Sequence, residues 1–402
     1  MKAIEGGVCA APGFKAGAIH AGVRKNQTKD DLAIIWSEVP CVAAGVFTQN
    51  QVKADCVKLT REHVKKGKIQ AIIANSGNAN AAAPKGMEHA VKEAQAVAAC
   101  YGIEPEEVAV ASTGVIGVEL PVDVILNAIP KVKLLADNSE AAAKAIMTTD
   151  TTPKSAAVEV EIDGHKVIVG GICKGSGMIH PKMGTMLAFI TTDCAIDQQM
   201  LQKALIANTN VTFNRVSVDG DASTNDTCLV LANGLAGNPE ITSEGEAYET
   251  FKAALKEVMQ SLAIQIASDG EGASHLISVK VTGAATEEEA EIIGMSVVSS
   301  SLTKAAIFGA DANWGRVLCA MGYSDARFDP EKVDIAFASY AGVLPVYEKG
   351  QAVPFSEERA KQILSQGAID ILINLHEGDA SATCWGCNLT YDYVRINGDY
   401  RT

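Results

Sequence analysis

Unbroken apolar runs of strand length alternate with helical patterns along this chain, and that alternation limits the fold more than any other feature. Residues 32–48 (LAIIWSEVPCVAAGVFT) and 70–75 (QAIIAN) lack the in–out polarity of a half-exposed strand and read as strands buried on both faces, the second running into a polar turn at Asn75 to Asn80. Thr185 to Thr191 has the same character behind a Gly-rich stretch, Gly170 to Gly177. Between such runs Met87, Val91, Ala94, Val97 and Ala98 recur at helical spacing, with Gly102 as a stop. Asp137 and Glu140 are spaced as a capping box for a helix reaching about Met147. Val158 to Ile162, an Asp163-Gly164 turn and Lys166 to Val169 form a hairpin. Tyr248, Phe251, Leu255, Val258, Leu262 and Ile266 mark one face of a long helix that stops at Asp269 to Gly272. The fold class is therefore α/β (α+β). With 402 residues the chain exceeds one small core, and residues 281–402, with their own strands and a helix near 356–365, are expected to form a smaller second domain after 1–280.

Charge narrows the function classes. A net charge of -14 provides no basic field for phosphates, so neither nucleic acid nor an anionic membrane is an expected partner. No apolar run approaches the roughly 18 residues of a spanning helix, and the start lacks a signal-peptide core, which predicts a cytoplasmic protein. Ten cysteines are scattered among small apolar residues, the setting of free buried thiols. Cys384 and Cys387 form one CxxC without the second pair of a structural zinc site, and they are expected to be buried. No metal-ligand cluster, Walker loop or dinucleotide fingerprint appears, so neither metal nor cofactor is expected.

The chemistry points to Thr185. A hydroxyl behind a Gly-containing turn can attack the preceding carbonyl, here that of Gly184, and pass through an ester to a new N-terminus. The released α-amine, with an ordinary pKa of about 7.7–8.0, is a built-in base beside the same hydroxyl. On its own this pattern is weak, because Thr at the head of a strand ordinarily reflects β-propensity.

The wording around it is more specific. Lys174-Gly-Ser-Gly-Met-Ile-His-Pro-Lys-Met-Gly-Thr-Met-Leu187 resembles the self-cleavage segment of the ornithine acetyltransferases, also called glutamate N-acetyltransferases. Further matches follow in order: Asn75 to Asn80, Ser112 to Gly117, Thr148 to Lys154, Asn214 to Asp221, Ser223 to Asp226, Asp269 to Ala273, Gly309 to Arg316 and Asn397 to Thr402. The resemblance implies an αββα sandwich like that of N-terminal-nucleophile hydrolases, plus a smaller C-terminal α/β domain. It implies scission between Gly184 and Thr185, with the halves 1–184 and 185–402 pairing as an α2β2 heterotetramer. The implied reaction moves acetyl from acetylornithine to glutamate, giving ornithine and acetylglutamate, with acetyl-CoA as a further donor in some members. Thr185 is then the nucleophile, and Thr113 and Gly114 form the oxyanion hole. Substrate contacts fall to Thr151, Lys174, Thr185, Glu271, Asn397 and Thr402. His180 is not expected to be the base, and Asp311, Asn313 and Arg316 are expected to be structural. Gly184 stands where the family usually has Ala, and His180 and Lys182 also depart from the common pattern. The competing enzyme class is an N-terminal-nucleophile amidase or aminopeptidase, in which water takes the acyl group.

Overall fold

The computed structural model describes residues 1–24, 28–180 and 186–399. Gly184, Thr185 and Thr402 lie outside the described residues. The strands are β1 (Lys2–Ile4), β2 (Phe14–Ile19), β3 (Leu32–Phe47), β4 (Lys68–Asn78), β5 (Val108–Val115), β6 (Lys154–Ile162), β7 (His165–Lys174), β8 (Leu187–Thr192), β9 (Val216–Ser217) and β10 (Thr227–Ala232). The helices among them are α1 (Asp55–Lys65), α2 (Gly86–Tyr101), α3 (Val122–Ala128), α4 (Ser139–Ala145), α5 (Gln198–Val211) and α6 (Glu246–Ser268).

All these strands except β9 belong to one sheet, ordered β1-β6-β7-β8-β10-β3-β4-β5, with β2 also on β3. The long β3 serves two neighbourhoods. Its second half pairs with β10, its first half with β2, and its pairing with β4 slips between Trp36 and Cys41. The sheet folds over on itself at β3, and the side chains show how. Phe189 and Leu229 from one leaf share a core with Ile35, Ile72 and Ala109 from the other. The alternate residues face outward, because side chains along a strand switch sides at every step. Ala188, Ile190, Cys228 and Val230 meet α5 and α6, while Ile34, Ile73 and Val110 meet α1 and α2. Helices, leaf, leaf, helices: this is an αββα sandwich. Both faces of its central strands are buried, which explains their unbroken apolar runs.

A seven-stranded sheet follows from β11 (Leu276–Ala284), β12 (Asp334–Ser339), β13 (Gly342–Glu348), β14 (Gln351–Ala352), β15 (Ala368–Asn374) and β16 (Ala380–Cys387), in the order β14-β13-β12-β15-β11-β16-β9. It begins at Leu276 and takes β9 from the earlier part of the chain. Helices α7 (Glu287–Ser299), α8 (Ser301–Phe308), α9 (Trp314–Gly322) and α10 (Glu357–Leu364) accompany it, and α11 (Tyr391–Asp399) returns toward the sandwich. Arg215, just before β9, pairs with Glu287 and Glu291 on α7.

Two expectations need correction. Asn75 to Asn78 does not turn; the strand β4 runs through it. The Asp137 box does not form, because α4 starts at Ser139 and its N-cap Asn138 makes no side-chain cap bond. Ser139 Oγ instead accepts from the Cys9 N–H at 2.8 Å. Cys384 and Cys387 are buried and unpaired with each other. Asn313 caps α9 through the Arg316 N–H, and the Arg316 guanidinium donates to Leu302 O, which are structural tasks. No single helix among the described residues is long and apolar enough to cross a membrane.

Candidate active site

Four chain segments meet at the ends of β4, β5 and β7. Thr113 and Gly114 close β5 beside the polar end of β4. Gly114 has a φ of 134°, and a Cβ there would stand 2.4 Å from the Gly77 carbonyl carbon, so no larger residue fits. The polar end of β4 is held by its own side chains: Ser76 Oγ donates to Ala145 O at 2.5 Å, and Asn75 Nδ2 to Asn78 O at 2.9 Å.

Lys174, the last residue of β7, is buried, and its ammonium donates to Thr113 Oγ1 at 3.3 Å. A buried cation needs anions near it. Asp150 supplies one: its Oδ1 accepts from Gly175 N–H at 2.7 Å and from Lys154 Nζ at 2.7 Å. Burial pushes the Asp150 carboxyl up, but Lys174 and then Lys154 outweigh it and hold the group at about 2. Burial depresses the Lys174 ammonium, and Asp150 acts against that shift. Lys154 also reaches Asp269 at 2.6 Å, which ties the start of β6 to the residue that follows α6.

Beyond α6, Ser176 Oγ donates to Asp269 O and the Glu271 N–H donates to Ser176 O. Gly177 lies so close to the Glu271 carboxylate that a Cβ would come within 2.3 Å of it. The carboxylate accepts from Asn397 Nδ2 at 2.6 Å, which brings α11 over the site. Helix α11 is seated by Thr390 Oγ1 donating to Gly272 O and by Tyr393 OH donating to Asp219. Asp219 in turn receives the N–H groups of Met178, whose φ is 59°, and of Ile179, so it fixes the start of the expected self-cleavage segment.

Thr113, Gly114, Lys174, Glu271 and Asn397 thus line one cavity of about 70 Å³, together with Thr148, Thr149 and the run Ser223 to Asn225. Asn225 Nδ2 donates to Ala79 O at 2.6 Å and to Ser112 O at 2.8 Å, bracing the wall from behind. On the far side of the expected cut, Leu187 pairs with Lys174 in the β7–β8 register, and the Met186 N–H donates to Asp226 Oδ1 at 2.9 Å. An ammonium and a carboxylate facing one small space suit a small substrate that bears both charges.

A model of the ArgJ family matches residues 15–402. The chain belongs to the ArgJ family. A protein of Symbiobacterium thermophilum named arginine biosynthesis bifunctional protein ArgJ is 50% identical over 406 residues, covering 100% of each chain. Arginine biosynthesis bifunctional protein ArgJ 1 of Clostridium acetobutylicum is 50% identical over 394 residues, 97% of this chain and 96% of that one. The crystal structure of arginine biosynthesis bifunctional protein argJ from Bacillus halodurans superposes with a TM-score of 0.51 at 49% identity, over 54% of this chain and 100% of that chain.

Within this ArgJ-family chain the expected site residues divide into three sets. Thr113, Gly114, Lys174, Glu271 and Asn397 come together. Thr151 does not reach the cavity. Its N–H donates to Asp269 at 3.0 Å and its hydroxyl to the same carboxylate, and it lines an adjacent groove with Pro153 and Lys144. Thr185 and Thr402 fall outside the described residues. His180 Nδ1 lies 3.1 Å from Ser217 Oγ. The Asp150–Lys154–Asp269 chain of charges was not anticipated, although Asp150 and Lys154 bracket the Thr-Thr-Pro stretch at a spacing of four. The described residues contain no group of three or more His, Cys, Asp or Glu arranged to hold a metal ion.

Proposed function

We propose that the chain cuts itself between Gly184 and Thr185 and then transfers acetyl from N2-acetyl-L-ornithine to L-glutamate through an ester on Thr185. The observation that carries this reading is the placement of Lys174 and Glu271, opposite charges, on one small cavity beside the head of β8. In the first half-reaction the Thr185 hydroxyl adds to the acetyl carbonyl while its own α-amine takes the hydroxyl proton. Collapse of the tetrahedral intermediate expels the ornithine amine, which carries the proton away. Thr113 and Gly114 are the donors assigned to the oxyanion, a role ordinarily worth about 3–4 kcal/mol for one donor. In the second half-reaction the glutamate amine attacks the ester and leaves as acetylglutamate, regenerating Thr185. Lys174 holds an α-carboxylate, and Glu271, oriented by Asn397, holds an amine.

Acetyl-CoA is assigned as a second donor, in keeping with the word bifunctional in the relatives' names. The cleaved halves are assigned to an α2β2 assembly, and no metal or cofactor is assigned to the reaction. Intact mass and a denaturing gel test the scission. Two fragments split at 184/185 are expected from the parent, and a single 42.0 kDa chain without transfer activity from Thr185→Ala. An uncut parent that turns over, or a Thr185→Ala protein that keeps its rate, overturns the reading. Assays with acetylornithine and with acetyl-CoA, each with glutamate, then test the donors.

A further inference from the structure

Strands β4 and β5 pair in register from Ala71 and Val108 to Gly77 and Gly114, and then the ladder slips at Asn78. The slip falls beside Thr113 and Gly114, which face the cavity. Asn225 spans the two strands at that point. Its Nδ2 donates to Ala79 O, just past β4, at 2.6 Å and to Ser112 O, on β5, at 2.8 Å. Two carbonyl partners fix which end of the carboxamide faces them. The other end, Oδ1, accepts from the Thr224 hydroxyl at 2.6 Å. Asn225 borders the cavity, but it is buried and both amide protons are committed to carbonyls, so it has no donor left for a substrate.

The brace is itself anchored. The Asn225 N–H donates to Ser223 Oγ at 3.1 Å, its carbonyl accepts from Thr227 Oγ1 at 3.0 Å, and Thr224 O accepts from the Ala54 N–H at 3.0 Å. Ser112 O and the Thr113 N–H belong to one planar peptide, so holding the oxygen sets the direction of the N–H. Gly114 follows with its φ of 134°. Lys174 Nζ donates to Thr113 Oγ1, which leaves the Thr113 hydroxyl proton for the cavity.

We propose that Asn225 is a positioning residue that aims the donors of Thr113 and Gly114 at the oxyanion of acetyl transfer. This rests on the reading of those two residues as the oxyanion hole given above. Thr113 precedes the expected cut and Asn225 follows it, so the brace also joins the two halves of the cavity wall. Asn225 exchanges no proton and forms no covalent bond. Donors aimed at a charge that exists only in the transition state lower the barrier without tightening substrate binding, so their brace acts on kcat and not on KM.

The plainer role is to hold the wall together, which affects stability but not turnover per folded site. Asn225→Ala removes both donors. Asn238→Ala is its match away from the cavity, since Asn238 is also buried and its Nδ2 donates to Ala195 O and Pro239 O. Parent and variants are compared by intact mass, by thermal melting, and by steady-state transfer from acetylornithine to glutamate per cut chain. Both variants are expected to melt below the parent. Only Asn225→Ala is expected to lose about 30- to 100-fold in kcat, with KM for acetylornithine within about 3-fold of the parent. A folded Asn225→Ala with parental kcat, or with its loss in KM instead, overturns the proposal. So does a folded variant that stays uncut, because the brace would then serve scission and not transfer. Should Asn225→Ala not fold, Asn225→Ser carries one proton on a shorter arm and is read in the same way. Thr113→Ala, run alongside, keeps the two ideas apart. An undiminished Thr113→Ala counts against the oxyanion assignment, whereas a slowed Thr113→Ala with an undiminished Asn225→Ala counts against the brace alone. An inactive parent counts against acetyl transfer itself.

Discussion

Glu93 is a buried carboxylic acid whose removal should stabilise the protein, increasingly so as pH rises. It sits on α2 with no exposed surface, and neither carboxyl oxygen has a hydrogen-bond partner among the described residues. Asn80 Oδ1 is also buried without a partner among the described residues, and the Glu93 charge is felt at the Cys56 thiol on α1. Burial pushes the Glu93 carboxyl up to about 8, against 4.5 for the ordinary group. The folded pKa is raised, so the favourable contribution is full below pH 4.5 and is lost as pH rises toward 8. Across that window folding must take up a proton that the unfolded chain has released, which costs about 1.4 kcal/mol per pH unit. At pH 7 the penalty is on the order of 3 kcal/mol. Glu93→Gln keeps the size and removes the ionisation, so its advantage should be about 3 kcal/mol at pH 7 and below about 1 kcal/mol at pH 5. For a large domain each kcal/mol moves Tm by roughly 2–4 °C, which predicts a gap of roughly 6 °C or more at neutral pH. Thermal unfolding of both proteins at pH 5, 6, 7 and 8, followed by circular dichroism, measures it. A gap that stays constant across that range, or a parent more stable at pH 8, would show that the carboxylate has a compensating partner and that the reasoning is wrong.

Glu271→Gln removes the site's carboxylate while leaving an oxygen for Asn397, so KM for the amino-acid substrates should rise roughly 10- to 100-fold with little change in Tm, read from steady-state kinetics. Asp150→Asn leaves Lys154 and Lys174 short of a buried anion and should cost about 3–5 kcal/mol at pH 7, read by denaturant unfolding. The Asp150 carboxyl is held at about 2 when folded, against 3.8 for the ordinary group, so its contribution is present above pH 3.8 and fades as pH falls toward 2. The gap between parent and Asp150→Asn should narrow by about 2.5 kcal/mol over that interval.

Much of the architecture is legible because strand period and helix period leave different marks. Residues 32–48 become β3, the hairpin becomes β6 and β7, and the apolar face from Tyr248 to Ile266 becomes α6. What period cannot report is which buried face meets which. Phe189 and Ile190 look alike in the sequence, yet one enters the core between the leaves and the other packs under the outer helices. Alternation along β8 separates the two, and the fold-over of the sheet at β3 shows only as a slip of pairing between Trp36 and Cys41.

Polar residues mislead for a related reason. Local chemistry assigns Asn75 to Asn78 to a turn, because Asn, Ser and Gly ordinarily serve their own backbone. Here Ser76 bonds to Ala145 O and Asn78 Nδ2 to Val118 O, partners far away in the chain, so the strand continues and delivers a polar end to the site. Glu93 carries an ionisable side chain on a helix, yet α2 lies between α1, α3 and the sheet, and that side chain is buried. Thr151 follows the same logic. Thr148 and Thr149 of the motif that contains it line the cavity, but Asp269 holds the Thr151 hydroxyl and N–H, while the neighbouring Asp150 carries the charge that Lys174 requires. A resemblance can point to a segment of the cavity wall; which of its side chains faces the cavity is decided by partners contributed from elsewhere in the fold. For this site those partners are Asp269 after α6 and Asn397 on α11.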